Sequence, residues 1–312
     1  MTTILVQSPG LLTTVQDLGR EGFGPAGVSP SGAADPLALR LGNLLVGNLE
    51  NAAALEMTLL GGEFLFPRGA ALALAGSDFA AALDHAPVQP HASFEARPGQ
   101  MLRLGPTKSG ARSYLCVRGG IDVPLFLGSA STHLLSRLGG FQGRALRKGD
   151  VLKIGSAAGP FQTRRLSAKA LAELAPRRVL RVTSGPQSDS FAPAALNAFH
   201  SSLYRVAEES NRMGIRLQGP PVALQSGGDM ITEGVSLGAV QIPSGGQPII
   251  LFVEQQTTGG YPKIANVISA DFSSLGQLRP RDEIRFQQVT FEAARELFCR
   301  QQEWLSAKDL FE

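Results

Sequence analysis

Short apolar runs recur along the whole chain, most of them four to seven residues long and bounded by Gly, Pro or Asp. That pattern predicts strands rather than long helices. Thr3–Val6 opens the series, and Ala70–Ala75, Met101–Leu104, Ser113–Val117 and Val151–Ile154 follow. Met57–Phe66 reads as a hairpin, because Gly61–Gly62 separates two apolar halves and paired glycines admit the positive φ of a tight turn. In the second half the predicted strands are Val179–Val182, Leu203–Ala207, Gly238–Ile242, Ile249–Glu254 and Ile284–Gln287.

Helical periodicity is confined to four places. Asp35–Pro36 is a helix start, with an N-cap acid and Pro at the first helical position. Leu37, Leu41, Leu44 and Leu45 then share one face, and Gly47 is the stop. Leu166–Leu174 ends at Pro176, Pro193–Phe199 is a third helix, and Thr290 to about Leu305 is the last. Ser156–Pro176, rich in small residues, marks a boundary between two lobes. Lys148–Ile154 and Pro280–Phe286 resemble each other: each is a polar turn holding Asp followed by a strand of alternating basic and apolar residues. That fits two similar lobes, each closing on the same kind of strand.

Composition narrows the class. The 312 residues exceed one ordinary core. With 43% hydrophobic and 18% charged residues the chain has enough apolar material to fold, and 36 Gly and 20 Pro without a period suit many turns. The net charge of +3 is mild, and Arg164–Arg165, Arg177–Arg178–Arg181 and Arg279–Arg281 are scattered without interleaved aromatics, so no nucleic-acid partner is expected. Cys116 and Cys299 lie far apart and form no zinc or disulfide spacing; Cys116, in an apolar run, reads as a core thiol. The N-terminus lacks a signal peptide and no run is long enough to span a membrane, so the expected compartment is the cytoplasm.

Most catalytic signatures are missing. Gly105–Ser109 lacks the spacing of a phosphate loop, and His85, His91, His133 and His200 read as surface or turn residues, with no metal site expected. Gly234–Gly238 matches GxSxG, but a strand rather than a helix follows Ser236, so Ser236 reads as a turn residue. Two polar glycine-rich loops remain. Asp17–Asp35 reads from composition as an ordinary surface loop running into a helix cap. Glu254–Lys263, EQQTTGGYPK, gathers an acid, amides, hydroxyls, a phenol and an amine behind an apolar strand. Its alternatives are a solvated hairpin loop or a binding site, and the density of hydrogen-bonding groups favours the site.

Together these stretches resemble a known family. They are Thr14–Arg20, Gly27–Asp35, Asn43–Asn48 with Leu55–Glu56, Val117–Pro124, Leu127–Thr132, Gly185–Gln187, Asn211–Leu217, Gly238–Pro243 and Gln255–Pro262. The sequence is similar to the biotin-dependent carboxyltransferase family that includes the C-type component of 5-oxoprolinase (KipA) and the allophanate hydrolase subunit 2 domain. The resemblance implies a mainly β protein of two cyclophilin-like β-barrel domains with a few helices. With the pattern above it divides the chain into a first barrel domain (1–160), a linker helix (161–178), a second barrel domain (179–289) and a terminal helix (290–312).

It also implies an enzyme working as part of a hetero-oligomer. With a KipI-like B-type component and an A-type component of 5-oxoprolinase, the complex would use ATP to open 5-oxo-L-proline, a small cyclic amide, to L-glutamate. The alternatives are transfer of a carboxyl group from carboxybiotin, carried on a partner, to a urea-like amide, or a non-catalytic role in binding a KipI-type kinase inhibitor. No covalent cofactor is expected on this chain, which lacks a biotinylation motif. By resemblance, Gln255, Thr257, Thr258, Tyr261 and Arg212 are catalytic candidates, and Gln241, Gly259, Gly260, Lys263, Ser31 and Asp35 substrate-binding ones. Gln255, Gln241 and the threonines would hold a planar amide, and Arg212 or Lys263 would neutralise a carboxylate or oxyanion. Three departures from the family pattern stand out: Glu254 and Asn211 each replace Asp, and Arg281 replaces Gly in the closing turn.

Overall fold

The computed structural model describes residues 2–225 and 230–312. The chain forms two compact units. One comprises the chain up to Arg20, Ser31–Ala175 and Ala307–Glu312, and the other comprises Glu21–Pro30 and Pro176–Ser306. These boundaries differ from those expected at 161–178 and 290–312. The helix Ala168–Glu173 stays with the first unit, and Ser167 Oγ caps it by accepting from Ala170 N. The terminal helix stops at Leu305, and the residues after it return to the first unit. There Ser167 N donates to Leu310 O at 3.0 Å, Glu312 N donates to Arg165 O at 2.8 Å, and Leu310 is buried. A ladder made across more than a hundred residues leaves no local trace in sequence.

In the first unit two sheets enclose one core. The seven-stranded sheet runs Ile121–Asp122, Val151–Ile154, Thr3–Ser8, Glu63–Phe66, Gln100–Arg103, Ala82–Leu83, Ala86–Pro87. The five-stranded sheet runs Leu12–Gln16, Ala54–Thr58, Arg112–Val117, Ala70–Gly76, Ser93–Ala96. Ile4, Val6, Phe64, Phe66 and Leu102 from the first meet Leu55, Met57, Leu72, Leu74 and Leu115 from the second. The helix Pro36–Leu45 lies on the five-stranded sheet, where Cys116 Sγ sits 3.8 Å from Leu39 O. A Cβ on Gly42 would come 2.6 Å from that sulfur, so glycine lets the helix approach. Covered by core on one face and helix on the other, Arg112–Val117 is buried at every position. Cys116 is the expected core thiol, and burial pushes its pKa far up.

Met57–Phe66 is not a hairpin. Ala54–Thr58 pairs with Leu12–Gln16 and Arg112–Val117, whereas Glu63–Phe66 pairs with Thr3–Ser8 and Gln100–Arg103. The two glycines carry the chain from one sheet to the other. A Cβ on Gly61 would lie 2.3 Å from Leu104 Cβ, and one on Gly62 would lie 2.4 Å from Ser8 O. They are required by close backbone passage, not by turn geometry.

The second unit is a closed seven-stranded barrel. Its order is Val179–Ser184, Lys263–Val267, Ala239–Gln241, Ile249–Leu251, Gly214–Gln218, Tyr204–Val206, Glu283–Gln288. Parallel pairing of Glu283–Gln288 with Val179–Ser184 closes it. Closure leaves no free sheet edge and sets the inward alternation seen at Leu180, Val182, Ile284 and Phe286. The helix Pro193–Ser201 packs Phe199 onto Phe286, with ring centroids 4.5 Å apart.

Both units close on the same turn. In the first, Asp150 Oδ2 accepts from Arg147 N at 2.7 Å, Gly149 has φ 90°, Gly149 N donates to Val6 O at 2.8 Å and Val6 N donates to Asp150 O at 2.9 Å. In the second, Asp282 Oδ2 accepts from Arg279 N at 2.7 Å, Arg281 has φ 73°, Arg281 N donates to Val206 O at 2.8 Å and Val206 N donates to Asp282 O at 2.9 Å. The sequence match at 148–154 and 280–286 therefore marks a structural repeat.

Arg281 holds a left-handed conformation that its partner turn gives to glycine. An L-residue there costs about 1–2 kcal/mol, partly offset by glycine's freedom in the unfolded chain, worth about 0.4–1 kcal/mol. The exposed Arg281–Glu208 ion pair adds little. Arg281→Gly is expected to stabilise the protein by about 0.5–1 kcal/mol. Urea unfolding checks this, and an unchanged or lower midpoint would contradict it.

Candidate functional site

The Gln255–Tyr261 loop is rooted in two backbone bonds and one buried ion pair. The strand Ile249–Leu251 ends earlier than the predicted Ile249–Glu254 because the chain turns to pair with Arg212–Met213. Phe252 N donates to Met213 O at 3.0 Å and Glu254 N donates to Arg212 O at 2.8 Å. The Arg212 guanidinium and the Glu254 carboxylate, both nearly fully buried, meet at 2.5 Å. Arg212 is thus committed to Glu254, which argues against its expected direct role on a substrate anion. Asn211, in place of the family's Asp, accepts from Met213 N at 2.8 Å and shapes the same turn.

Beyond this root the loop pairs with Glu233–Gly234. Thr258 faces Gly234 and Gly259 faces Glu233. Val235 N donates to Thr257 O at 3.1 Å, and Gln255 Nε2 donates to Val235 O at 3.3 Å. Gly259 is required by contact: a Cβ would lie 2.5 Å from Gln241 Nε2 and 3.2 Å from Val235 Cγ1. Gln241 and the residue that Gln255 holds therefore converge on Gly259. A Cβ on Gly260 would meet Met230 O and Thr232 Oγ1 only at ordinary contact distance, 3.4 Å.

Two cavities flank the loop. One, about 470 Å³, is lined by Thr257, Thr258, Lys263, Ser236 and Asn266, with Gly24, Pro25 and Pro186 among its other walls. The second, about 280 Å³, is lined by Gln241, Gln256, Tyr261, Asn211 and Arg216, among others. Tyr261 is 45% exposed, free to meet a ligand. Gln241 and Gln255 are buried, and Gln241 Nε2 and Gln255 Oε1 have no hydrogen-bond partner among the described residues.

Lys263 is not a loop-tip amine. It begins the strand Lys263–Val267, its side chain is buried, and Nζ contacts the Glu233 carboxylate. Gln187 joins them: its Oε1 accepts from Lys263 N at 3.1 Å and its Nε2 donates to Glu233 Oε1 at 2.9 Å. The Lys263 ammonium, then Gln187, hold the Glu233 carboxyl below the usual carboxylate range.

Ser31 and Asp35 belong to the first unit, and both are buried. Ser31 Oγ donates to Thr132 O at 2.7 Å, and Asp35 Oδ1 caps its helix by accepting from Ala38 N at 2.9 Å. The surface-loop expectation for Asp17–Asp35 holds only for its middle, because Asp17, Arg20, Ser29, Ser31 and Asp35 are all buried. Asp17 accepts from Gly19 N, Ala130 N and the Ser129 and Ser131 hydroxyls, which pins this stretch to 129–131. His133 is likewise buried, with Nδ1 accepting from Ser136 N. Among the described residues no group of three His, Cys, Asp or Glu is placed to hold a metal, and no helix is long and apolar enough to cross a membrane.

The residues overlooked in sequence are Ser236, Asn266, Glu233, Gln187 and Gln256. Ser236, read as a turn serine, donates to Asn266 Oδ1 at 2.9 Å in the cavity wall, with a strand and not a helix after it. Its GxSxG match was a visible signal for the wrong chemistry; Gln187 and Gln256 lay inside stretches that carry the family resemblance, and Asn266 and Glu233 carried no signal.

A mainly β chain with a closed barrel is a fold shared with known proteins. The model of the carboxyltransferase domain, subdomain A and B, matches residues 26–288, and the chain belongs to that family. It is 41% identical over 285 residues to the C-type component of 5-oxoprolinase from Escherichia coli (strain K12), covering 91% of each chain. It is 38% identical to the same 5-oxoprolinase component from Haemophilus influenzae, covering 91% of this chain and 90% of that one. Among solved structures, the Kluyveromyces lactis urea amidolyase superposes with a TM-score of 0.91 at 32% identity, over 99% of this chain and 21% of that one.

Removing one partner of a buried ion pair strands the other, at a cost of about 3–5 kcal/mol. Arg212→Ala is expected to lower the unfolding free energy by that amount. A loss below about 1 kcal/mol in urea unfolding would show that Glu254 does not need this partner.

Proposed function

We propose that this chain is the C-type component of an ATP-dependent 5-oxoprolinase complex, in which 5-oxo-L-proline is opened to L-glutamate. The supporting observation is the pair of unpartnered buried amide atoms beside the Gln255–Tyr261 loop. Buried polar groups are nearly always hydrogen-bonded in a folded protein, so orphaned ones mark a place for a ligand. Gln241 Nε2 supplies a donor and Gln255 Oε1 an acceptor. A cyclic amide presents the complement, a carbonyl oxygen and an N–H. Tyr261 stacks against the ring or donates to it, and Thr257 and Thr258 add hydroxyls on the other side of the loop.

Kinship with 5-oxoprolinase components over nine-tenths of the chain supports the same reading. So does the absence of a phosphate-loop motif, which leaves ATP use to the partners, an A-type and a KipI-like B-type component. The likeness to urea amidolyase supports a second reading, carboxyl transfer from a partner's carboxybiotin to a urea-like amide. Both readings use the same amide-binding loop and differ in what is delivered to it.

The test is glutamate release from 5-oxo-L-proline and ATP by this chain co-expressed with those two partners. Turnover is expected to require this chain, and Gln241→Ala or Gly259→Ala to reduce it at least tenfold, equivalent to about 1.4 kcal/mol. A stable complex without turnover, or a Gln241→Ala complex with full turnover, would count against the proposal. Carboxyl transfer to urea would then favour the second reading.

A further inference from the structure

Lys263 carries a positive charge in an unusual setting. Its side chain is only 3% exposed, and its counter-ion Glu233 is 43% exposed. A buried ammonium needs a compensating charge close by. Here that charge comes from a residue far more exposed than the lysine it compensates. The segment bearing Glu233 joins the loop where Glu233 faces Gly259 and Gly234 faces Thr258, continued by Val235 N donating to Thr257 O at 3.1 Å. Apart from Lys263, the carboxylate's bond is from Gln187 Nε2, at 2.9 Å.

The cavity that Lys263 lines is furnished for an anion. Its polar side chains are Ser236, Thr257, Thr258, Asn266 and Lys263: three hydroxyls, an amide and an ammonium, with no carboxylate among the lining residues. The three hydroxyls and the ammonium can all donate. Ser236 Oγ presently donates to Asn266 Oδ1, a bond it can redirect to a ligand. With a volume of about 470 Å³, the cavity has ample room for a carboxylate and part of a small ring.

The two amide chemistries proposed above differ in charge. 5-Oxo-L-proline bears a carboxylate on the carbon beside its ring nitrogen, whereas urea bears none. We propose that Lys263 is the specificity-determining residue for the carboxylate of a cyclic amide acid, and that Glu233 is its resident placeholder, displaced toward solvent when that carboxylate enters. This rests on the reading that the chain binds the cyclic amide at the Gln255–Tyr261 loop. Exchange of one carboxylate for another keeps the buried ammonium compensated throughout, so neither state strands a charge. An amide without a carboxylate leaves the Lys263–Glu233 pair closed and gains nothing from it.

The test is calorimetric titration of the full chain with 5-oxo-L-proline and with 2-pyrrolidinone, the same ring without the carboxylate. Wild type, Glu233→Gln and Lys263→Met are compared. Removing the competing charge in Glu233→Gln is expected to tighten 5-oxo-L-proline about tenfold, and Lys263→Met to weaken it at least about tenfold, because a charge-assisted bond is gained or lost. The affinity for 2-pyrrolidinone is expected to be the same in all three proteins. Equal 5-oxo-L-proline affinity in all three would overturn the counter-ion assignment and leave the cyclic-amide reading standing. Parallel losses for both ligands would also overturn it, since the residues would then shape the pocket rather than read the carboxylate. Binding of neither ligand to any of the proteins would overturn the cyclic-amide reading and this proposal with it. Should Lys263→Met fail to fold, the half-exposed Glu233→Gln carries the test by itself: unchanged 5-oxo-L-proline affinity there overturns the proposal.

Discussion

The buried ion pair between Arg212 and Glu254 is the constraint from which the site takes its shape. It ties the turn before the strand Gly214–Gln218 to the end of the strand Ile249–Leu251. Two backbone bonds between the same segments, Phe252 to Met213 and Glu254 to Arg212, keep the pair in register. In a low-dielectric interior the two charges must stay together, so the segments that carry them cannot separate. Everything after Glu254 is projected from that fixed point: Gln255 inward, Thr257 and Thr258 toward one cavity, Tyr261 toward the other. Glutamate at 254 supplies the carboxylate that closes the pair.

Buried carboxylates elsewhere are well supplied with donors. Asp17 collects four, and Glu56 accepts from the Tyr114 hydroxyl and from Ala34 N. Burial first, then the Glu56 charge, holds the Tyr114 phenol well above its ordinary pKa, so it stays a donor. Against that background the unpartnered atoms of Gln241 and Gln255 carry weight. Gln16 Oε1, His91 Nδ1, His200 Nδ1 and Tyr204 Oη also lack a partner among the described residues, but none of them belongs to the Gln255–Tyr261 loop or lines either of its cavities. Gln241 sits where the backbone is thinned by Gly259, and Gln255 begins the loop that carries the exposed Tyr261. A donor on the strand Ala239–Gln241 and an acceptor at the start of the loop are thus both left without a partner among the described residues.

The repeat of the closing turn connects fold to history and to stability. Gly149 and Arg281 occupy equivalent left-handed positions, each with an Asp after it that caps the turn and a Val backbone across from it. The same solution built twice supports two β units of common design, although one closes as a barrel and the other holds its core between two sheets. Backbone hydrogen bonds preserve the turn where the side chain has changed.

Much of this was legible in the chain itself. The helix at Pro36–Leu45 follows from its Asp35 cap, its proline and its leucine spacing, and most strands follow from short apolar runs bounded by Gly, Pro and Asp. The expectation of a site at QTTGGY came from its crowding of hydrogen-bonding types. These are local properties, set by φ/ψ preference and by side-chain periodicity of two or 3.6. Tertiary structure decided what depends on partners far away in sequence. It sent Gly61–Gly62 across from one sheet to the other instead of round a hairpin, returned Ala307–Glu312 to the first unit, and buried Lys263 under Glu233. It also turned Arg212, Ser31 and Asp35 from free candidates into committed framework. The physical reason is common to all of these: burial and charge compensation are properties of a neighbourhood, and a neighbourhood assembled from distant segments has no signature in any one of them.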